Sequence, residues 1–132
     1  MGGYDGLEVR ASLALPAEPA SARDARRLIR DFCAAAELDQ DLCETAALLA
    51  SELVTNAILH GRTRATLTAE QPDGRLRVSV EDANPTLPEP GEPVDLGAEG
   101  GRGLRIVAAL AQRWGVDTTG TGKVIWFELD LP

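Results

Sequence analysis

The stretch Leu49-Ala50-Ser51-Glu52-Leu53-Val54-Thr55-Asn56-Ala57-Ile58-Leu59-His60-Gly61 decides how this chain folds. Together with Leu42 and Ala46 upstream, its residues Leu49, Leu53 and Ala57 recur at spacings of four, three, four and four. That is the period of a helix with one face turned to a core. Asp39 opens the helix and Gly61 is placed to stop it. Beside the apolar stripe runs a second line, Glu52, Asn56 and His60, at i, i+4 and i+8. An Asn amide oxygen is a hard, neutral ligand suited to Mg²⁺, which takes few protein ligands and keeps waters and phosphate oxygens. A Glu one turn away can orient or deprotonate a hydroxyl or a water. For the helix alone, a solvated polar face is the simpler reading of the same line.

Upstream, Leu7, Val9, Ala11, Leu13 and Leu15 alternate with Glu8, Arg10 and Ser12, the signature of a half-buried strand. Pro16 and Pro19 end it, and residues 1–6 read as a loose tail. Ser21 is placed to cap a helix with Leu28, Ile29 and Phe32 on its apolar side, running to about Ala36. Downstream, residues 64–70 and 75–81 alternate as two strands around the turn Pro72-Asp73-Gly74. A Pro-, Gly- and acid-rich segment, 83–99, reads as a long loop, and loops of that length are often functional. Gly100-Gly101-Arg102-Gly103 leads into a third helix with Leu104, Val107, Ala111 and Trp114 on one face. Strands near 115–118 and 123–131 close the chain. The order predicts a single α+β domain over 1–132, a two-layer sandwich in which helices cover one face of a sheet.

Composition narrows the function. The chain has 132 residues, 44% hydrophobic and 26% charged, which fits one folded domain. Its net charge of −8 argues against a nucleic-acid backbone as partner. No apolar run long enough to cross a membrane is evident, and no secretion signal, so a cytoplasmic location is expected. Cys33 and Cys43 form neither a disulfide framework nor, with a single histidine, a zinc site; buried free thiols are expected.

Two further places stand out. Leu76, Val78 and Val80 face the core by parity, and Asp82 continues that parity, aiming a carboxylate inward at the strand's end. Such a group needs a partner, for instance the exocyclic amine of a purine. Alternatively the strand has already ended and Asp82 caps the turn at Asn84-Pro85. The run Gly100–Gly103 would let backbone N–H groups approach an anion at a helix start, with Arg102 adding charge. A flexible hinge is the plainer reading. The run is neither a Walker loop nor a Rossmann fingerprint.

Taken in order, these segments resemble the boxes of the GHKL superfamily of ATPases and kinases. Glu52 to Gly61 is similar to the N box, Val80-Glu81-Asp82-Ala83-Asn84-Pro85 to the first glycine box, and Gly101-Arg102-Gly103-Leu104-Arg105-Ile106-Val107 to the second. Thr121-Gly122-Lys123-Val124-Ile125-Trp126 looks like the terminal strand with its Thr. The branch most similar is that of the anti-sigma-factor serine/threonine kinases. The resemblance implies a Bergerat-type mixed sheet and an ATP site. By matching position, Asn56 would hold Mg²⁺ and Glu52 would be the base. Asp82 would take the adenine amino group, and Thr121 would support that end. Gly101, Arg102, Gly103 and Leu104 would line the nucleotide beneath a lid at 83–100. The sequence departs from the family pattern at Ala83-Asn84-Pro85, where glycines usually follow the Asp, and its lid carries Glu89, Glu92, Asp95 and Glu99.

The resemblance implies phosphoryl transfer from ATP to a Ser or Thr of an antagonist protein, with a sigma factor as a further partner and pairing into a homodimer. The alternative is a module that binds ATP and a partner without chemistry. A histidine-kinase fragment is disfavoured, since His60 lies inside the N box with no dimerisation segment around it.

Overall fold

The computed structural model describes residues 10–84 and 99–132, with the side chains of residues 60, 61 and 99–103 outside the description. The tail, Leu7 and Val9 of the first strand, and the lid beyond Asn84 therefore lie outside the described residues, as do the side chains of His60, Gly101, Arg102 and Gly103. The element order is the one predicted: β1 (Arg10–Leu15), α1 (Ser21–Ala35), α2 (Gln40–Asn56) with a π turn (Ala57–Gly61), β2 (Ala65–Glu70), β3 (Arg75–Asp82), α3 (Glu99–Leu110), β4 (Arg113–Thr118) and β5 (Lys123–Asp130).

The five strands form one sheet in the order β1-β2-β3-β5-β4. Each of the four pairings is antiparallel, so the expected mixed sheet is corrected to an antiparallel one. Short turns explain this. Pro72-Asp73-Gly74 closes β2 on β3, with Gly74 at φ +66 and Arg75 N–H bonded to the Pro72 carbonyl at 3.0 Å.

Alternation puts Leu67, Val78, Val80, Ile125 and Phe127 on one face, and they are buried with Ile29 of α1, Leu49, Leu53 and Val54 of α2, and Val107 of α3. The opposite face carries Arg10, Ser12, Thr66 and Glu81, all exposed. On that face Trp126 lies flat over Gly115, where a Cβ would meet the ring at 2.7 Å, and the Arg77 guanidinium stacks 4.3 Å from the ring centre. Glu128 next to it accepts from Arg113 Nε at 2.7 Å and Arg77 at 2.9 Å. Burial pushes the Glu128 carboxyl up, but these bonds outweigh it and hold the group below its ordinary value.

Several local expectations change. Ser21 does not cap α1: the cap position is Ala20, and the buried Ser21 hydroxyl donates to the Pro16 carbonyl at 2.7 Å. Asp39 does cap α2, accepting from Leu42 N–H at 3.0 Å. The helix does stop at Gly61, but the left-handed residue that ends it is Arg62, φ 56. The glycine run lies inside α3 rather than ahead of it, and Trp114 belongs to β4, opposite Phe127. Residues Gln40–Leu59 are long and apolar enough, by length and composition, to cross a bilayer, against the expectation that no such run exists. Most of that segment is packed inside the fold, 61% of its apolar window being buried, which marks it as the core helix.

Candidate functional site

One end of the sheet collects the polar residues that the sequence singled out. Register places Leu15, Ala65, Asp82, Lys123 and Thr118 in one row across the five strands. β3 runs on to Asp82, so its parity holds and the carboxylate points into the protein, its side chain 2% exposed. It also forms the turn that stood as the alternative, accepting from Asn84 N–H at 2.8 Å through Oδ1. The strand has thus not ended before Asp82, and the inward carboxylate also closes the turn at Asn84.

The partner of this buried charge is Lys123, its register mate on β5. Lys123 Nζ lies 3.2 Å from Asp82 Oδ1 and 3.1 Å from Oδ2, and donates to the Asn84 carbonyl at 2.8 Å. Its side chain is 6% exposed. Removing either member would leave the other charge buried alone, which is costly. Sequence reasoning passed over Lys123, yet a signal was there. Lys123, Ile125, Phe127 and Leu129 share one parity, and three of the four are plain core residues.

Gly122 explains how β5 enters so near Asp82. A Cβ there would fall inside the Asp82 carbonyl oxygen and 2.9 Å from Ala83 Cα. Only glycine permits this approach. Thr121, just before it, is exposed in the β4–β5 turn, where Thr119 N–H bonds the Gly122 carbonyl at 2.9 Å.

Asn56 is buried at the last turn of α2, and Glu52 is half-buried one turn earlier on the same line. The π turn follows Asn56 directly, and such wide turns recur at functional sites. From Gly61 the chain needs only residues 62–64 to reach Ala65, the register mate of Asp82. Thr63 Oγ1 accepts from Ala83 N–H at 3.2 Å, tying that connection to the end of β3. The end of α2 and the Asp82–Lys123 pair therefore lie at the same edge of the fold.

α3 comes to this edge from the other side. Only Ala111 and Gln112 separate α3 from β4, so α3 folds back over the sheet. β4 begins at Arg113, opposite Glu128, at the far end from Lys123. The first turn of α3, with Gly101, Arg102 and Gly103, accordingly starts toward the Asp82 end. Leu104 is a core residue, 3% exposed.

The described residues contain no group of three or more His, Cys, Asp and Glu that could cage a metal. A single buried amide, Asn56, suits a magnesium ion held mostly by phosphate oxygens and water. The buried carboxylate suits an amine. The residues present therefore fit a magnesium nucleotide. Cys33 and Cys43 are buried free thiols, as expected, and burial followed by a hydrogen bond with Cys43 pushes the Cys33 thiol up.

Comparison with known proteins agrees with this fold. The histidine kinase-like ATPase domain family matches residues 15–129. An uncharacterized protein of Streptomyces coelicolor, SCO4941, is 35% identical over 80 residues, covering 57% of this chain and 75% of that one. The RsbU and RsbW domains of Rv1364c from Mycobacterium tuberculosis superpose with a TM-score of 0.71 at 22% identity, over 93% of this chain and 32% of that one. The histidine kinase domain of a blue-light activated kinase from Erythrobacter litoralis gives 0.54 at 23% identity, over 88% of this chain and 61% of that one. This chain thus spans about a third and three-fifths of those two structures.

Proposed function

Since the chain belongs to the histidine kinase-like ATPase domain family, we propose that it binds ATP at the Asp82 end of the sheet and transfers the terminal phosphoryl group to a Ser or Thr of a partner protein. The observation that carries the reading is the buried Asp82 carboxylate beside the end of α2 that bears Asn56 and Glu52. Asp82 reads an amino group of the base, and Thr121 borders that end. Asn56 is the residue that would hold Mg²⁺. When bound, the magnesium nucleotide supplies the transferable phosphoryl group and neutralises its charge.

The chain's own residues do the rest. Glu52 accepts the proton of the attacking hydroxyl. The N–H groups of the first turn of α3, at Gly101, Arg102 and Gly103, face the phosphates with the helix dipole behind them. Arg102 adds a positive charge where negative charge moves. Leu104 holds that turn down by its burial in the core. The partner is an antagonist protein in a partner-switching pathway, with a sigma factor as the second partner, inside the cytoplasm; the kinase itself pairs into a homodimer.

Titration calorimetry with Mg-ATP, and radiolabel transfer to an antagonist substrate, test this. Glu52→Ala should retain nucleotide binding and lose transfer by roughly 10²–10⁴-fold. Asp82→Ala should lose binding. Wild-type protein that binds ATP but transfers no phosphate, with Glu52→Ala indistinguishable from it, would leave a nucleotide-dependent binding module in place of a kinase.

A further inference from the structure

β4 is the last strand of the sheet, and among the described residues no strand lies on its outer side. Its sequence, Arg113-Trp114-Gly115-Val116-Asp117-Thr118, holds no proline and no lysine, and it pairs with β5 in unbroken register. An edge without such blunting is a template for another strand. Thr119 N–H bonds the Gly122 carbonyl at 2.9 Å. Peptide groups alternate in direction along a strand. Counting back from Thr119, Gly115 and Asp117 turn theirs toward β5, while Trp114, Val116 and Thr118 turn theirs to the open side. The side chains of Trp114 and Val116 are half-buried there, at the margin of the core.

We propose that a second copy of this chain adds to the β4 edge, antiparallel and with Gly115 on the two-fold axis, so that the two sheets become one. The proposal rests on the pairing into a homodimer put forward above and gives that pairing a place and a register. Residues directly opposite across an antiparallel pair share a face, so the axis must pass through a residue. Through Gly115, it sets Arg113 opposite Asp117 of the second copy, twice. It also sets Trp114 opposite Val116, whose outward peptide groups can then exchange hydrogen bonds. An axis through Arg113 or Asp117 would set like charges opposite each other. One through Trp114 or Val116 would set a charge opposite Gly115. Asp117 is exposed and has no ion-pair partner among the described residues. Arg113 donates to Glu128 and Asp130, and a guanidinium with five N–H bonds has others to give. The other edge, β1, carries Arg10 but no acid to meet it. The open face of the sheet has its charges already paired, Arg10 with Glu70 at 3.1 Å, and Arg77 and Arg113 with Glu128 at 2.9 and 2.7 Å.

Sedimentation equilibrium on the wild type, Val116→Pro, Asp117→Lys and Thr66→Lys tests this, with circular dichroism to check folding. Val116→Pro removes an N–H that faces outward, which an edge strand tolerates within the chain but a paired one does not. Asp117→Lys sets a positive charge opposite Arg113. Each should raise the dimer dissociation constant by roughly tenfold or more. Thr66→Lys changes an exposed residue of the open face and should pair as the wild type does. Folded edge variants that pair like the wild type overturn the β4 interface while leaving pairing in place. Loss of pairing in Thr66→Lys moves the interface to the open face and overturns it too. Should Val116→Pro not fold, Asp117→Lys, altered only at an exposed side chain, decides. A wild type that stays monomeric overturns both the interface and the pairing put forward above. Titration of the same samples with Mg-ATP shows separately whether the nucleotide site stands.

Discussion

Substituting Gly122 by alanine should damage this protein out of proportion to the one methyl group added. The new Cβ would lie inside the Asp82 carbonyl oxygen and 2.9 Å from both Asp82 C and Ala83 Cα. All three are backbone atoms at the end of the neighbouring strand and the residue after it, so no side chain can swing aside. Relief requires the start of β5 to part from the end of β3 by something on the order of an ångström, and overpacking of this kind costs about 1–3 kcal/mol. The same movement stretches the ion pair of Lys123 with Asp82, whose contacts are now 3.1 Å to Oδ2 and, as a hydrogen bond, 3.2 Å to Oδ1. Weakening one charge-assisted bond in a buried pair adds about 1–2 kcal/mol. Together about 3 kcal/mol is expected, which for a domain of this size lowers Tm by roughly 10 °C. Gly120 supplies the control within the same turn. It sits at φ +88 with nothing within 4 Å of the place an added methyl group would take, so Gly120→Ala meets backbone strain alone, about 1 kcal/mol. Urea and thermal unfolding followed by circular dichroism measure both. A Gly122→Ala protein no less stable than Gly120→Ala would refute the close approach of the two strands, and with it the tight Asp82–Lys123 corner.

Asp39→Ala removes the cap bond to Leu42 N–H and should cost about 1 kcal/mol in urea unfolding, whereas Ser21→Ala acts through the loop at Pro16 and should cost a similar amount without lowering helix content. Glu128 contributes stability with a definite pH sign: its folded carboxyl titrates below its unfolded one, so the contribution is complete above the unfolded value and drains away as pH falls through the folded one. Glu128→Gln should therefore cost about 1–2 kcal/mol near neutrality and flatten the acid limb of the stability curve; an acid limb as steep as the wild type's would contradict the arginine cluster. Cys33 and Cys43 should resist a thiol reagent in native buffer and react promptly in denaturant, since both are buried and burial raises the Cys33 thiol.

The parts of the fold that could be read from sequence were those where one period dominates. The stripe Leu42, Ala46, Leu49, Leu53 and Ala57 has four of its five members buried, and Leu76, Val78 and Val80 all face the core. The misreadings fall where local preference meets a tertiary competitor. Glycine weakens a helix interior, so Gly100–Gly103 reads as a hinge leading into the helix. Yet α3 starts at Glu99, because burial of Leu104 and Val107 holds the helix down. Trp114 follows Ala111 at a helical spacing, but Gln112 N–H already bonds the Glu128 carbonyl at 3.0 Å, and the sheet takes the chain from there. The line through Glu52, Asn56 and His60 assumes α geometry to its end, whereas a π turn begins at Ala57. Which way the strands pair depends on contacts far apart in sequence, and local alternation is silent on it.

Asp82 and Lys123 mark the limit of parity reasoning and also its reach. An acid continuing a core alternation is conspicuous because a carboxylate is short and cannot bend its charge back to water. A lysine in the same position passes for a surface residue, since its long stem ordinarily carries the ammonium out to solvent. Here the row geometry denies that escape. Asp82 and Lys123 are register mates, Gly122 brings β5 hard against the Asp82 backbone, and the Asn84 carbonyl accepts a further N–H of Lys123. Once one buried charge is located on a strand end, the strand beside it must be searched at the same parity for the opposite charge, because a lone charge at that depth would not survive folding ionised. Applied to β5, that search has one candidate, since Ile125, Phe127 and Leu129 are apolar. The identity of the partner then governs the state of the acid: a lysine held at this depth beside it keeps the pair's two charges compensated within the fold.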